Sequence, residues 1–287
     1  MAVSQTHYRS ISLPSRLNPI NSTEFEADLQ KLKAVPINII SSEAIQTGLL
    51  GLAQLYNSVQ QLTQSPSMIL QQHQDGKSME DQLEVSVELL DSCNTIRELV
   101  QMIKENVQAL QSAFRRKGLD SGIQSDVATY VCFRKKMNKF ISKTLKTLKN
   151  LEHKYIGSNE NDNFIRVLRE VSGITIAIFK GILGFLSCPT TKKTGGWNLV
   201  SKVMVTKSMA YGKDHSFISE MGGVDFALNT LQGRIKNSNC SVLDLQMVQK
   251  ELQNLDDCIR GFEGVLEILF RQLVQSRVTL LNILTGH

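Results

Sequence analysis

The sequence predicts an all-α protein, an elongated antiparallel bundle of long helices with a flexible N-terminal tail. Three observations carry that prediction. Two long stretches, Leu89 to Phe114 and Leu245 to Ile283, keep apolar residues at alternating steps of three and four, broken only by the polar Ser276. A third, Asp126 to Tyr155, separates into an apolar and a basic face when wound at about 100° per residue. The chain of 287 residues has only 5 prolines, so long segments run without a break. Charged residues at 21% and hydrophobic ones at 41% are ordinary for a soluble protein long enough to bury a real core. We divide it into a flexible basic tail, residues 1–35, and a single helical-bundle domain, residues 36–287, with an irregular loop region at about 190–223.

The first 23 residues contain no acid, two arginines and seven Ser/Thr, and Pro14 and Pro19 oppose a helix. Three readings fit this stretch. It is a plain disordered tail, or a short organellar transit peptide that would direct the chain to the chloroplast, or a phosphorylation switch. The switch would centre on Ser12, with Arg9 three residues upstream to steer a kinase and Pro14 two downstream to turn the chain. Phosphate there would supply the charge that a 14-3-3-type reader recognises with an Arg cluster. No continuous apolar core marks a secretory signal, so the expected compartment is cytoplasmic, with membrane association an additional possibility.

A helix is predicted from about Ser42 to Leu62, with Ile45, Leu49, Leu52, Tyr56 and Val59 on one face and Ser41 or Ser42 as its cap. Ser65-Pro66 ends it, and the polar stretch around Gly76 reads as a loop. The next helix, about Met79 to Phe114, has the seam Leu89, Cys93, Ile96, Val100, Ile103, Val107, Leu110 and Phe114. Arg115-Arg116-Lys117-Gly118 closes it, with cations at the negative end of the helix dipole and glycine at the stop.

The basic helix follows. Tyr130, Phe133, Met137, Phe140, Ile141, Leu145, Leu148, Leu151 and Tyr155 form its apolar side, and Lys135, Lys136, Lys139, Lys143, Lys146 and Lys149 form the other. Between Arg115 and Lys154 the charge is +8, against +5 for the whole chain, so the remainder is mildly acidic. The charge therefore belongs to one face and not to the molecule. A solvated helix surface is the plain reading of the lysine row. Anionic lipid headgroups or an acidic protein partner are the sharper ones. Nucleic acid is disfavoured, since no aromatic residues interleave the lysines for stacking on bases.

Phe164 begins a further helix whose latter part, Val171 to Leu186, is apolar nearly all round. Sixteen residues with Lys180 in the middle are short for a membrane span, so a central helix buried on every side is expected. Cys188-Pro189 ends it. Residues 190–223 promise only short helices and a surface loop, and a short helix from Val224 to Ile235 precedes the last element. That element spans about 58 Å from Leu245 to Ile283, longer than an ordinary globular helix. It needs a partner along its length. The Met79–Phe114 helix has the same period, so we expect an intramolecular pairing and a monomer, with a coiled-coil dimer as the alternative.

No catalytic constellation emerges, and no catalytic, cofactor-binding or metal-ligating residues are assigned. Gly76-Lys77-Ser78 lacks the upstream glycine of a phosphate cradle, and no zinc-protease or nucleophile-elbow motif occurs. The five histidines are unpaired at ligand spacing, and the five cysteines include no CxxC pair, which points to reduced thiols. The carboxylate pairs Glu80-Asp81 and Asp256-Asp257 read as surface charge. The expectation is a protein without enzymatic activity or cofactor.

Several segments together resemble the plant-specific BYPASS-type family. They are HYRSISLPSR at His7–Arg16, LLDSCNTIRELVQMIKENVQALQSAFRRK at Leu89–Lys117, YVCFRKKMNKFISKTLKTLK at Tyr130–Lys149, and VLREVSGITIAIFKGILGFLS at Val167–Ser187. The resemblance covers nearly the whole chain and is weakest over Thr190–Gly223. It implies a plant source, an all-helical fold, no known enzymatic activity and a role in shoot and root development or signalling. It supplies no site residues. Two function classes follow. One is a non-enzymatic regulatory or scaffold protein acting through helix surfaces and a phosphorylatable tail. The alternative is a peripheral membrane or trafficking component that docks on anionic lipids through residues 126–155.

Overall fold

A computed structural model of the chain describes residues 22–34, 41–63, 76–118, 122–155, 163–187, 219–237 and 240–285. Among these residues there are seven helices and no strand. They are α1 (Ser22–Ala34), α2 (Ser42–Thr63), α3 (Gly76–Lys117), α4 (Ile123–Tyr155), α5 (Asn163–Leu186), α6 (Glu220–Lys236) and α7 (Val242–Thr285). The all-α prediction holds.

The two longest helices, α3 and α7, make the main axis of the bundle. Every apolar position of the α3 seam from Leu89 to Phe114 is buried, and α7 buries Val248, Leu252, Leu255, Ile259, Phe262, Leu266, Leu269, Leu273 and Leu280. The polar cross-links show the direction. Ser86 and the Leu83 carbonyl accept from Arg277, Arg97 pairs with Glu267, Lys104 with Glu263, and Gln108 donates to Asp256. As the number rises along α3 it falls along α7, so the pair is antiparallel. Asp256, read from the sequence as surface charge, proves to be buried, 1% exposed. It accepts from Gln108 and twice from Arg260, which supplies the compensation a buried carboxylate needs.

Helix α5 is the central one. From Val171 to Leu186 no residue is exposed, and α1, α2, α3 and α4 pack around it. Its polar groups are accounted for: Thr175 bonds the Val171 carbonyl at 2.8 Å and meets the Tyr56 hydroxyl at 3.0 Å, and Lys180 reaches Glu152 of α4. Phe185 meets Phe262 of α7 edge-on, ring centroids 5.2 Å apart. Among the described residues no helix is long and apolar enough to cross a membrane.

Glycine is required where α3 stops, and it eases one contact between helices. A Cβ on Gly261 of α7 would lie 2.6 Å from the side-chain amide of Gln46 on α2, which would then have to swing aside. Gly118 ends α3 at φ 57°, a conformation costly for any residue with a Cβ, and its N–H satisfies the Phe114 carbonyl at 3.0 Å.

Three boundaries differ from the sequence reading. Residues 22–34, placed within the tail, form α1, which buries Phe25, Leu29 and Leu32 against α2. The three share the 4-3 spacing of a helix face, a pattern too short to stand out beside the polar residues around it. Helix α3 starts at Gly76, inside the stretch read as a loop, and buries Ser78, Met79 and Gln82. Helix α6 starts at Glu220, within the region read as irregular, with the Ser219 hydroxyl accepting from the Gly222 N–H as its cap. Most of the 190–223 loop region lies outside the described residues.

Candidate docking face

Helix α4 forms because nothing between Ile123 and Tyr155 interrupts it. The stretch has no Gly or Pro and is rich in Lys, with Leu145, Leu148 and Leu151 beside them, all good helix formers. Asp126 in its first turn lies where the dipole favours an acid, and it pairs with Lys117 of α3 at 2.7 Å. One stripe, Ile123, Val127, Tyr130, Met137, Ile141, Leu148 and Leu151, is buried in the shared core against α3 and α5. That burial fixes which way the opposite face looks.

Rotation about the helix axis is fixed a second time, by Arg134. It is 1% exposed and is among the largest fully buried side chains. Its Nε and Nη2 donate to the two Asp225 oxygens of α6 at 3.3 and 3.1 Å, and Nη1 donates to the Leu186 carbonyl at 2.8 Å. The guanidinium thus satisfies a carbonyl at the end of α5, where the helix dipole favours a cation, and clamps α6 beside α4. Burial pushes the Asp225 carboxyl above the usual carboxylate range, and the charge and hydrogen bonds of Arg134 oppose that shift.

With those anchors in place, Lys135, Lys136, Lys139, Lys143, Lys146 and Lys149 are all exposed. Among the described residues none of them forms an ion pair. Many cations elsewhere among these residues are paired: Lys33, Arg97, Lys104, Lys117, Lys154 and Lys180 sit in ion pairs, while exposed cations without one, such as Lys77, Arg166 and Lys250, are scattered over other helices. No acid occurs between Asp126 and Glu152 to neutralise the row from within the helix, and Glu152 is engaged by Lys180. The face is a run of uncompensated positive charge on a convex helix surface.

Two residues were misplaced or passed over in the sequence reading. Phe140 was assigned to the apolar side, yet it is 55% exposed. It lies about 80° around the helix from the centre of the buried stripe, so neither α3 nor α5 covers it. Arg134 was counted only as part of the basic cluster. Its position about 40° from Tyr130, within the apolar stripe, was the available signal that its charge would be buried and paired. The Ser12 site, with Arg9 and Pro14, lies outside the described residues. The cysteines Cys93 and Cys258 are buried, Cys132 is exposed, and no group of three or more possible metal ligands is found among the described residues.

Comparison with known families matches residues 48–283 to the family described as Protein BPS1. No curated protein and no solved structure matches the chain.

Proposed function

The chain belongs to the BPS1 family, a group of plant developmental proteins, and from that premise we propose that it is a non-enzymatic docking protein whose working surface is the lysine face of α4. The observation that carries this is the contrast in pairing. Among the described residues, many cations elsewhere on the bundle sit in ion pairs and unpaired ones such as Lys77, Arg166 and Lys250 are scattered, whereas six neighbouring lysines on one helix stand exposed together without an ion pair. Like charges one turn apart destabilise a helix slightly, so the charge of the row works against the helix that carries it. It lies on a helix held from behind by the core and from the side by the Arg134–Asp225 clamp, as a preorganised surface should. Roles in shoot and root development or signalling, and a reader of the 14-3-3 type at phosphorylated Ser12, remain part of the proposal, the latter as a second attachment through the tail.

Fractionation of plant extract by size and density tests the reading. The wild-type chain should migrate with its docking partner, and a chain carrying Lys136→Glu, Lys139→Glu, Lys143→Glu and Lys146→Glu should run free. The four sites are exposed, so circular dichroism should show the same helical fold in both. Co-migration of the charge-reversed chain with the same heavy fraction would refute the lysine face as the docking surface.

A further inference from the structure

We infer that the occupant of this face is an anionic lipid bilayer, met by Lys136, Lys139 and Lys143 together with an inserted Phe140; the inference rests on the docking reading above. The geometry selects these residues from the longer row. At about 100° per residue, Lys136 and Lys143 point within about 20° of one another, Phe140 lies about 50° to one side of them, and Lys139 about as far to the other. All four are exposed, and Phe140 is 55% exposed. Lys135 and Lys149 point about 90° or more away from that direction and belong to the far flank. Glu84 of α3 pairs with Lys154 near the C-terminal end of α4 at 3.1 Å.

Three features favour a bilayer over an acidic protein. The charges are all lysines, strongly hydrated point charges on long flexible stems, while the one arginine of the segment, whose planar fork suits paired carboxylates, is turned inward to Asp225. Lysine stems can also lie along acyl chains with the ammonium in the headgroup layer. The surface is a convex helix side, which fits a flat diffuse array of anions. Finally, a phenyl ring held in water beside two lysines gains when it enters the headgroup boundary, the arrangement of interfacial helices with a basic face and an apolar anchor.

Sedimentation of the purified full chain with vesicles tests the inference, using phosphatidylcholine alone and phosphatidylcholine mixed with phosphatidylserine. Binding is expected only to the acidic vesicles and should weaken with added salt. Lys136→Gln and Lys143→Gln should each weaken it roughly fivefold and flatten the salt dependence. Phe140→Ala should weaken it about fivefold to tenfold and leave the salt dependence unchanged, since it removes apolar area and no charge. Lys135→Gln and Lys149→Gln should have little effect. Equal losses at Lys135, Lys136, Lys143 and Lys149, with none at Phe140, would mean plain electrostatic adsorption and overturn the inserted geometry. No binding to acidic vesicles overturns the lipid occupant. If, in that case, the charge-reversed chain still leaves the heavy fraction of the extract, the docking reading stands with a protein partner. If charge reversal changes nothing in the extract, the reading itself falls.

Discussion

Replacing Arg134 by Met keeps most of the side-chain volume and removes the guanidinium that joins α4, α5 and α6. The two hydrogen bonds to Asp225, at 3.3 and 3.1 Å, and the one to the Leu186 carbonyl, at 2.8 Å, are lost together. Each charge-assisted bond is worth about 1.5–3 kcal/mol, but the three share one group and do not add. The larger effect is on what remains. Asp225, with 9% of its side chain exposed, is left as a buried carboxyl with no cation beside it. Breaking one side of such a pair costs about 3–5 kcal/mol. Removing both sides, as Arg134→Met with Asp225→Leu, should return most of that loss, because an apolar pair of similar volume leaves no buried charge. Urea unfolding followed by circular dichroism measures both variants. The single variant should unfold at a clearly lower midpoint with an unchanged slope, and the double variant near the wild-type midpoint. A single variant within about 1 kcal/mol of wild type, or a double variant no better than the single, would refute the clamp.

Other consequences can be checked as directly. Leu266→Ala truncates a fully buried seam residue between α7 and α3 and should cost about 2–5 kcal/mol in the same unfolding assay. Asp244 accepts from the Ser241 N–H and hydroxyl, each at 2.9 Å, and pairs with Arg234. The backbone bond from Ser241 leads in holding its carboxyl below the usual value, so the stability it adds is present at neutral pH and disappears as pH falls through the folded-state pKa. Asp244→Asn should therefore be destabilised near neutrality and should converge on the wild type in acid; a pH-independent difference in unfolding midpoint would contradict this. Burial pushes the Cys93 and Cys258 thiols up to about 12, whereas Cys132 is exposed. In the native protein a maleimide should label Cys132 quickly and reach Cys93 and Cys258 only on unfolding, as peptide mapping would show.

What the sequence discloses about this fold depends on how long its patterns run. The seams Leu89–Phe114 and Leu245–Ile283 repeat over many turns, and only a helix packed along its length explains so many matches, so their pairing was legible. The burial of Val171–Leu186 was legible for a similar reason, since a helix apolar all round has nowhere to stand but the centre. Helix α1 was not: three apolar residues spread over two turns cannot be told from chance in a polar tail. The lysine row of α4 was read correctly as an exposed face, because lysines opposite an apolar stripe have only solvent to face. What periodicity could not supply is which individual polar side chains meet across distant segments. Arg134 finds Asp225 across 91 positions, and Asp256 meets Gln108 across 148. A charge at the edge of an apolar stripe hints at such a partner without naming it. Phe140 is the converse case: it is apolar and close to the stripe, yet no neighbouring helix reaches it.

The central claim is that the lysine face works for the protein and not for its fold. Returning the chain to a plant that lacks it, as wild type and as the variant with Lys136, Lys139, Lys143 and Lys146 changed to Glu, tests that claim most directly. Both should accumulate to the same level and give the same helical spectrum when purified, and only the wild type should restore normal shoot and root growth. Full restoration by the charge-reversed chain would contradict the account.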